Sequence, residues 1–490
     1  MGFDKPRLMI AALRGGSGKT LVTMGLAAAW NRLNGLRVVP FKKGPDYIDA
    51  GWLSMAAGHP CYNLDPFLME PADMLGSFLE RIQGADVALI EGNRGLFDGV
   101  DRRGSYSSAE LAKLLGTPVV LLVDATKVTR TAAAMVLGCR QLDPEVPLAG
   151  VILNRVAGKR HEQVLRGSIQ DACGIPVLGV VPKDPGILFP ERHMGLVPPQ
   201  ESPNVSEALD CVAHKIADCL DLQTLLHLAR TVKPLGWPVG PGHAEKSPKT
   251  GDPVVVGIVR DAAFQFYYPE NLEALQEKGA VLVEISSFAR QPLPPLDALY
   301  IGGGFPETHL QVLADNEDFR ASLGRRIEEG LPVYAECGGL MFLCREISFE
   351  GRSYPMVGTF PYPVVLEKKP QGHGYTVMEC VNHNPFLAEG TTLKGHEFHY
   401  SQVLLGPNPS VSFIFRLKKG HGIVTGWDGL CYKNALASYS HIHAVGNDSW
   451  AEGIVRAARR YQSERMNGSV DRSADPDMRL SGACGYSTSL

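Results

Sequence analysis

The sequence predicts an α/β protein of two domains, each built around its own sheet. Three observations carry that prediction. Short apolar runs alternate with helix-period segments from Arg7 to about residue 225. A glycine-rich loop, Gly15-Gly16-Ser17-Gly18-Lys19-Thr20, stands directly after the first apolar run. A second strand–helix alternation begins at Val254, beyond a stretch rich in Pro, Gly, Lys and His.

The elements follow in order. Arg7–Leu13 reads as a strand leading into the glycine loop, and Leu21–Arg32 as a helix with apolar residues at Val22, Leu26, Ala29 and Trp30. Leu36–Phe41, Val87–Ile90, Val119–Val123, Val151–Leu153 and Val177–Val181 are further strands. Strands that are apolar throughout belong to a parallel sheet covered on both faces. Residues 1–230 therefore form the first domain, and residues 231–253 read as a linker without periodicity. The second domain, residues 254–464, has strands at Val254–Val259, Val281–Ile285, Ala298–Ile301 and Val333–Tyr334. It becomes more strand-rich after Ile347. Residues 465–490 are polar and rich in Gly, Ser and Asp, which predicts a disordered tail.

Composition narrows the function classes. A chain of 490 residues can bury more than one core. Its net charge of −4 offers no general attraction to nucleic acid or anionic lipid. No apolar run reaches the length of a membrane-spanning helix. The N-terminal segment lacks a signal-peptide core, and Pro6 occupies the Ser/Thr position of a myristoylation pattern. The ten cysteines are scattered with no C-x-x-C pair, as in a reduced protein. The expected location is the cytoplasm.

The glycine loop has a mechanism. Backbone N–H groups and a helix N-terminus cradle phosphate oxygens, Lys19 neutralises phosphate charge, and the Thr20 hydroxyl ligates Mg²⁺. The strict phosphate-loop pattern wants glycine six residues before the lysine, where this chain has Leu13. The bland alternative is a glycine turn that caps a helix. Acidic residues at strand ends favour the nucleotide reading: Glu91 closes Ala88-Leu89-Ile90, Asp46 and Asp49 follow the second strand, and Asp98 follows the third. Open α/β sheets bind ligands at that edge. Each aspartate also fits an Asx-turn.

In the second domain, Ala335-Glu336-Cys337-Gly338-Gly339 follows an apolar run. A cysteine at a strand end, followed by two glycines, fits a nucleophile lifted onto a tight strand-to-helix turn. His396 with His399, and His441 with His443, lack the further ligands that a zinc site needs, so structural or substrate-contact roles are expected for them.

The segments Phe41-Lys42-Lys43-Gly44-Pro45-Asp46-Tyr47-Ile48-Asp49, Asn63-Leu64-Asp65-Pro66, Glu91-Gly92, Gly95-Leu96-Phe97-Asp98-Gly99 and Gly395-His396-Glu397-Phe398-His399-Tyr400-Ser401 together resemble the cobyrinic acid a,c-diamide synthase family. The resemblance runs in order over residues 7–460. It implies a dethiobiotin-synthetase-like phosphate-loop domain, in which the missing first glycine is usual, fused to a class I glutamine amidotransferase domain. It also implies ATP- and glutamine-dependent amidation of the a and c acetates of cobyrinic acid, through an acyl phosphate, in cobalamin biosynthesis.

The same resemblance assigns the residues. Cys337 is the glutaminase nucleophile and His441, in Ser438-Tyr439-Ser440-His441, its base, with His443 the weaker candidate. Most class I glutaminases carry a glutamate two residues after that histidine; His443 stands there, so a Cys–His pair without an acid is expected. Gly303, Gly304 and Gly338 supply oxyanion and glutamine contacts. Gly15 to Thr20 hold ATP; Thr20, Asp46 and Glu91 hold Mg²⁺; and Tyr47, Asp49, Asp98, Lys43 and Arg94 face the substrate. Lys43, Asn93-Arg94 and Ala50-Gly51-Trp52 depart from the family pattern, which leaves sirohaem or nickel-sirohydrochlorin open as alternative tetrapyrroles. The expected partners are the tetrapyrrole, glutamine and ATP, and a homodimer is compatible with the reading. A different class, the partitioning-type switch ATPase, shares the loop. It normally has a lysine where Arg14 stands, and it lacks a fused glutaminase.

Overall fold

A computed structural model describes residues 2–183, 191–192, 195–196, 198–201, 204–237, 252–406 and 412–473. The first domain is a seven-stranded parallel sheet in the order Tyr62–Leu64, Val38–Lys43, Val87–Glu91, Arg7–Ala12, Val119–Asp124, Leu148–Val156, Val177–Pro182. The strand Arg7–Ala12 is central and completely buried. Alternate residues therefore feed two cores: Met9 and Ala11 pack on one face, and Leu8, Ile10 and Ala12 on the other.

The helix expected over Leu21–Arg32 is Lys19–Ala28, followed by one π turn at Ala29–Leu33. That turn buries Trp30 against the second core. The expected linker begins irregularly, but Leu235–Gly236 pairs with Gly2–Phe3. Most of the remaining linker lies outside the described residues.

The second domain carries a ten-stranded mixed sheet. Its parallel part runs Ala280–Ile285, Val254–Val259, Ala298–Ile301, Val333–Glu336, Ala435–Ser438. An antiparallel part continues through Trp427–Tyr432, Ser412–Lys419, Gly372–Cys380 and Thr392–His399 to His441–Ile442. A separate four-stranded sheet packs beside it. The helix Asp448–Ser473 runs beyond residue 464, so the expected start of the tail at 465 is corrected. Its Trp450, Ile454 and Ala458 pack into the core, and the helix propagates past that anchored stretch. Residues 474–490 lie outside the described residues.

The domains are joined by polar and aromatic contacts. The Tyr62 hydroxyl donates to Glu273 at 2.8 Å, and Arg81 pairs with Glu273 at 2.7 Å. The Tyr375 hydroxyl donates to Asp65 at 2.7 Å, and its ring stacks on Phe67 at 4.2 Å. These contacts set the Tyr62–Phe67 segment and Arg81 of the first domain against the helix Pro269–Glu277 and the strand Gly372–Cys380 of the second.

Candidate active site

The phosphate loop lies between the strand Arg7–Ala12 and the helix Lys19–Ala28. Gly16 and Gly18 take φ of 71° and 90°, which glycine adopts without strain. A Cβ on Gly18 would sit 2.5 Å from the Asn154 amide nitrogen, the same nitrogen that donates to the Ser17 carbonyl at 2.8 Å. Gly15, Gly16 and Ser17 complete the turn. Lys19 donates to the Arg94 carbonyl at 2.7 Å, and burial lowers the pKa of its ammonium.

Beside the loop, Lys42 organises a carboxylate cluster. Its ammonium lies 2.7 Å from Asp49, 2.7 Å from Glu91 and 3.7 Å from Asp46. The Thr20 hydroxyl is 2.9 Å from Glu91 and 3.2 Å from Asp49. Burial works against the charge on Lys42, but Asp49, Glu91 and Asp46 outweigh it and hold its pKa well above the ordinary lysine value. Burial raises the Glu91 carboxyl. It acts the same way on Asp49, where Lys42 and Thr20 prevail and hold the carboxyl below its usual range. Asp49 is thus drawn into the Thr20–Asp46–Glu91 group, although the sequence reading set it with the substrate residues. Lys42 itself was missed. It stands in the quoted Phe41–Asp49 motif, and its strand position disguised it as a core residue.

These residues fit Mg²⁺ in the manner of a phosphate-loop site. Among the described residues, no three His, Cys, Asp or Glu groups can hold a metal by themselves. Mg²⁺ characteristically takes one or two protein oxygens and completes its shell with substrate phosphates and water. Thr20 with Glu91 or Asp49 meets that requirement, and the buried Glu91 Oε2 has no hydrogen-bond partner.

In the second domain, three strand ends converge at the edge of the parallel sheet. Register pairs Ile301 with Ala335 and Glu336 with Ser438. The Gly302–Gly304 loop, Cys337 and the Ser438–His441 segment therefore emerge together. Cys337 has φ 48° and ψ −97°, directly before the short helix Gly338–Leu343. Its own N–H is held by the Ser438 carbonyl at 2.8 Å. Such strain is sustained where the surrounding structure over-determines it. A Cβ on Gly303 would lie 2.5 Å from His441 Cε1, and one on Gly338 would lie 3.1 Å from the Gly304 nitrogen. The four positions Cys337, Gly338, Gly303 and His441 are thus brought to one point. Burial pushes the Cys337 thiol up, Glu307 pushes it further, and the Gly338 N–H opposes them. A thiol pushed up in this way needs a base to become a nucleophile.

His441 is not alone. Its Nδ1 lies 3.3 Å from Oε2 of the fully buried Glu336. The other Glu336 oxygen accepts the Ile442 N–H at 3.2 Å, and the Tyr300 hydroxyl donates to Oε2 at 3.0 Å. The acid expected to be missing is therefore present in space, supplied by the residue just before the nucleophile. His443 faces Glu270 at 3.6 Å instead.

A cavity of about 580 Å³ lies between the domains. Lys43, Arg94 and Asp98 line it from the first domain, and His373, His396 and Lys419 from the second. Asp98 also accepts the Gly95 N–H at 2.8 Å, a bond that reaches back three residues and not forward as in an Asx-turn. Burial lowers the Lys43 pKa. Tyr47 does not line the cavity wall. Its ring lies between the domains, stacked on Phe266 at 5.0 Å and 5.4 Å from His441.

Fold and sites define a two-centre protein, a nucleotide-binding domain joined to a cysteine-elbow domain. The comparisons agree. Residues 8–197 match the CobQ/CobB/MinD/ParA nucleotide binding domain, and residues 255–449 the CobB/CobQ-like glutamine amidotransferase domain. A cobyrinate a,c-diamide synthase from Magnetococcus marinus is 45% identical over 93% of this chain and 98% of its own. Those from Archaeoglobus fulgidus and Listeria monocytogenes are 38% and 39% identical, over 94% and 90% of this chain and 98% and 97% of theirs. The chain belongs to the cobyrinate a,c-diamide synthase family.

Proposed function

We propose that this protein amidates the a and c acetate side chains of cobyrinic acid with glutamine nitrogen and ATP, as a ligase of cobalamin biosynthesis. The observation that carries the reading is the cavity between the two centres. Basic groups from both domains line it, Lys43 and Arg94 on one side and Lys419 on the other, as a polycarboxylate requires.

At the elbow, the Cys337 sulfur gives its proton to His441 and attacks the glutamine amide carbon. Gly338 and the Gly303–Gly304 loop receive the oxyanion. His441 returns the proton to the leaving nitrogen, which departs as ammonia. Water then cleaves the thioester to glutamate. At the phosphate loop, a substrate carboxylate attacks the γ-phosphorus of ATP, giving an acyl phosphate and ADP. Ammonia attacks the acyl carbon and expels phosphate. Lys19 and the loop N–H groups hold the phosphates. Bound Mg²⁺, held by Thr20 with Glu91, Asp49 or Asp46, would offset phosphate charge. Tyr47, Asp49, Asp98, Lys43 and Arg94 stand around the path between the two centres.

The test is incubation with Mg-ATP and glutamine against cobyrinic acid, sirohydrochlorin and sirohaem in parallel, read by product mass. Two carboxyl-to-amide exchanges on cobyrinic acid are expected. Amidation of a sirohaem-type substrate alone would keep the chemistry and move the substrate, with Lys43 and Arg94 as the residues to examine. ATP hydrolysis without any amide would favour the switch-ATPase class.

A further inference from the structure

The two centres of the proposed reaction are joined by one imidazole that neither chemistry uses. His396 lies on the strand Thr392–His399 and is the register partner of His441. The two rings stack, with centroids 5.0 Å apart and planes inclined by 21°. His396 also lines the cavity between the domains. It is 6% exposed, so it forms a wall with little solvent around it.

The surroundings are aromatic. The Tyr268 hydroxyl is 2.7 Å from His396 Nε2. The Tyr268 ring lies 4.5 Å from Tyr47, and Tyr47 lies 5.8 Å from His396. Tyr47 stands between Asp46 and Asp49, so this aromatic box connects the carboxylate cluster to the glutaminase histidine. Burial, with His441 and His443 nearby, holds the pKa of His396 well below the ordinary histidine value. A neutral imidazole offers one donor and one acceptor and adds no charge. That property suits ammonia, which is a nucleophile only while unprotonated, and an apolar passage penalises the ammonium form.

We propose that His396 is the relay through which ammonia passes from the Cys337–His441 centre into the cavity where the acyl phosphate forms. The inference rests on the amidation reading above. No bond is made or broken at His396. Ammonia hydrogen-bonds to the neutral ring and moves on, and the Tyr47, Phe266 and Tyr268 rings exclude the water that would protonate it.

The test compares two nitrogen sources in the full-length protein with cobyrinic acid and Mg-ATP. Amide product and glutamate are measured with glutamine, and amide product with ammonium chloride. In His396→Phe, the amide formed per glutamate should fall about tenfold or more, and glutamine-supported amidation should lose that much more than ammonium-supported amidation does, any loss common to both sources reporting the residue's place in the cavity wall. His396→Asn, which restores a neutral donor and acceptor, should recover part of the coupling. An unchanged ratio of amide to glutamate in His396→Phe overturns the relay, as does an equal loss with both nitrogen sources, which marks a purely structural residue. A wild-type protein that amidates nothing with either source overturns the amidation reading, and the relay with it.

Discussion

Glu336 shows how much one side chain can carry at the glutaminase centre. It is buried, accepts from Tyr300 and the Ile442 N–H, and faces His441 Nδ1. An acid in that position fixes the tautomer that leaves Nε2 free to take a proton, and stabilises the imidazolium that forms. Glu336→Gln keeps the shape and loses the charge. Its glutaminase kcat should fall by about 10²–10⁴, while ammonium-supported amidation is retained. A steady-state assay with each nitrogen source decides it. Lys42 plays the matching part in the first domain. Lys42→Met leaves Asp49 and Glu91 facing each other without their cation, a loss that costs about 3–5 kcal/mol for a buried pair. Thermal unfolding without nucleotide should show a lower Tm, and ATP-dependent amidation should be lost. An unchanged Tm would mean that the carboxylates do not need the ammonium.

At the scale of elements, the glutaminase centre is made by loops whose strands are register neighbours. The Gly302–Gly304 loop approaches His441 so closely that any side chain at 303 must displace the imidazole. Gly303→Ala is expected to lower glutaminase activity by about 10²-fold or more, with ammonium-supported amidation intact. The segment Ser438–His441 is pinned from the neighbouring strand. Asp428 accepts the N–H groups of Tyr439 and Ser440 at 3.1 and 3.2 Å and the Ser440 hydroxyl at 3.0 Å. Burial, with a smaller contribution from Glu397, pushes the Asp428 carboxyl up to about 6. Its folded pKa exceeds the unfolded value of about 3.9. The stability it contributes is therefore complete below about pH 3.9 and lost as the pH rises through about 6, a fall of roughly 3 kcal/mol. Urea unfolding between pH 4 and 7 should show this component in the native protein and lack it in Asp428→Asn. Identical pH profiles would refute the shifted carboxyl.

At the scale of the whole molecule, two separately folded sheets create a cavity that neither has alone. Tyr375 belongs to the second domain, yet it donates to Asp65 and stacks on Phe67 of the first while lining the cavity. Tyr375→Ala should cost about 1–3 kcal/mol of domain docking. The expected kinetic result is a raised KM for the tetrapyrrole and more glutamate formed per amide, with glutaminase turnover itself preserved. A variant with native KM and native coupling would show that the interface does not depend on this contact.

Local chemistry made much of this legible in the chain. Apolar strands of a parallel sheet, the Gly15–Thr20 loop and the Cys337 elbow each declare themselves, because backbone sterics and burial impose composition and spacing on a few consecutive residues. Asp46, Glu91 and His441 stand out in the sequence because their motifs are contiguous. Glu336 was passed over because an acid beside a nucleophile looks no different from any strand-end residue until the strand Ala435–Ser438 pairs with it and brings His441 back. Lys42 was passed over because a lysine in a buried strand is explained only by carboxylates from two other segments. The stacking of His396 on His441, the aromatic box around Tyr47 and the shared cavity are contacts between residues far apart in sequence. Such contacts depend on register, docking and the closing of long loops. The sequence by itself determined the two domains, their chemistry-bearing loops and the family; only the tertiary structure decided which charges meet and how the two centres face one another.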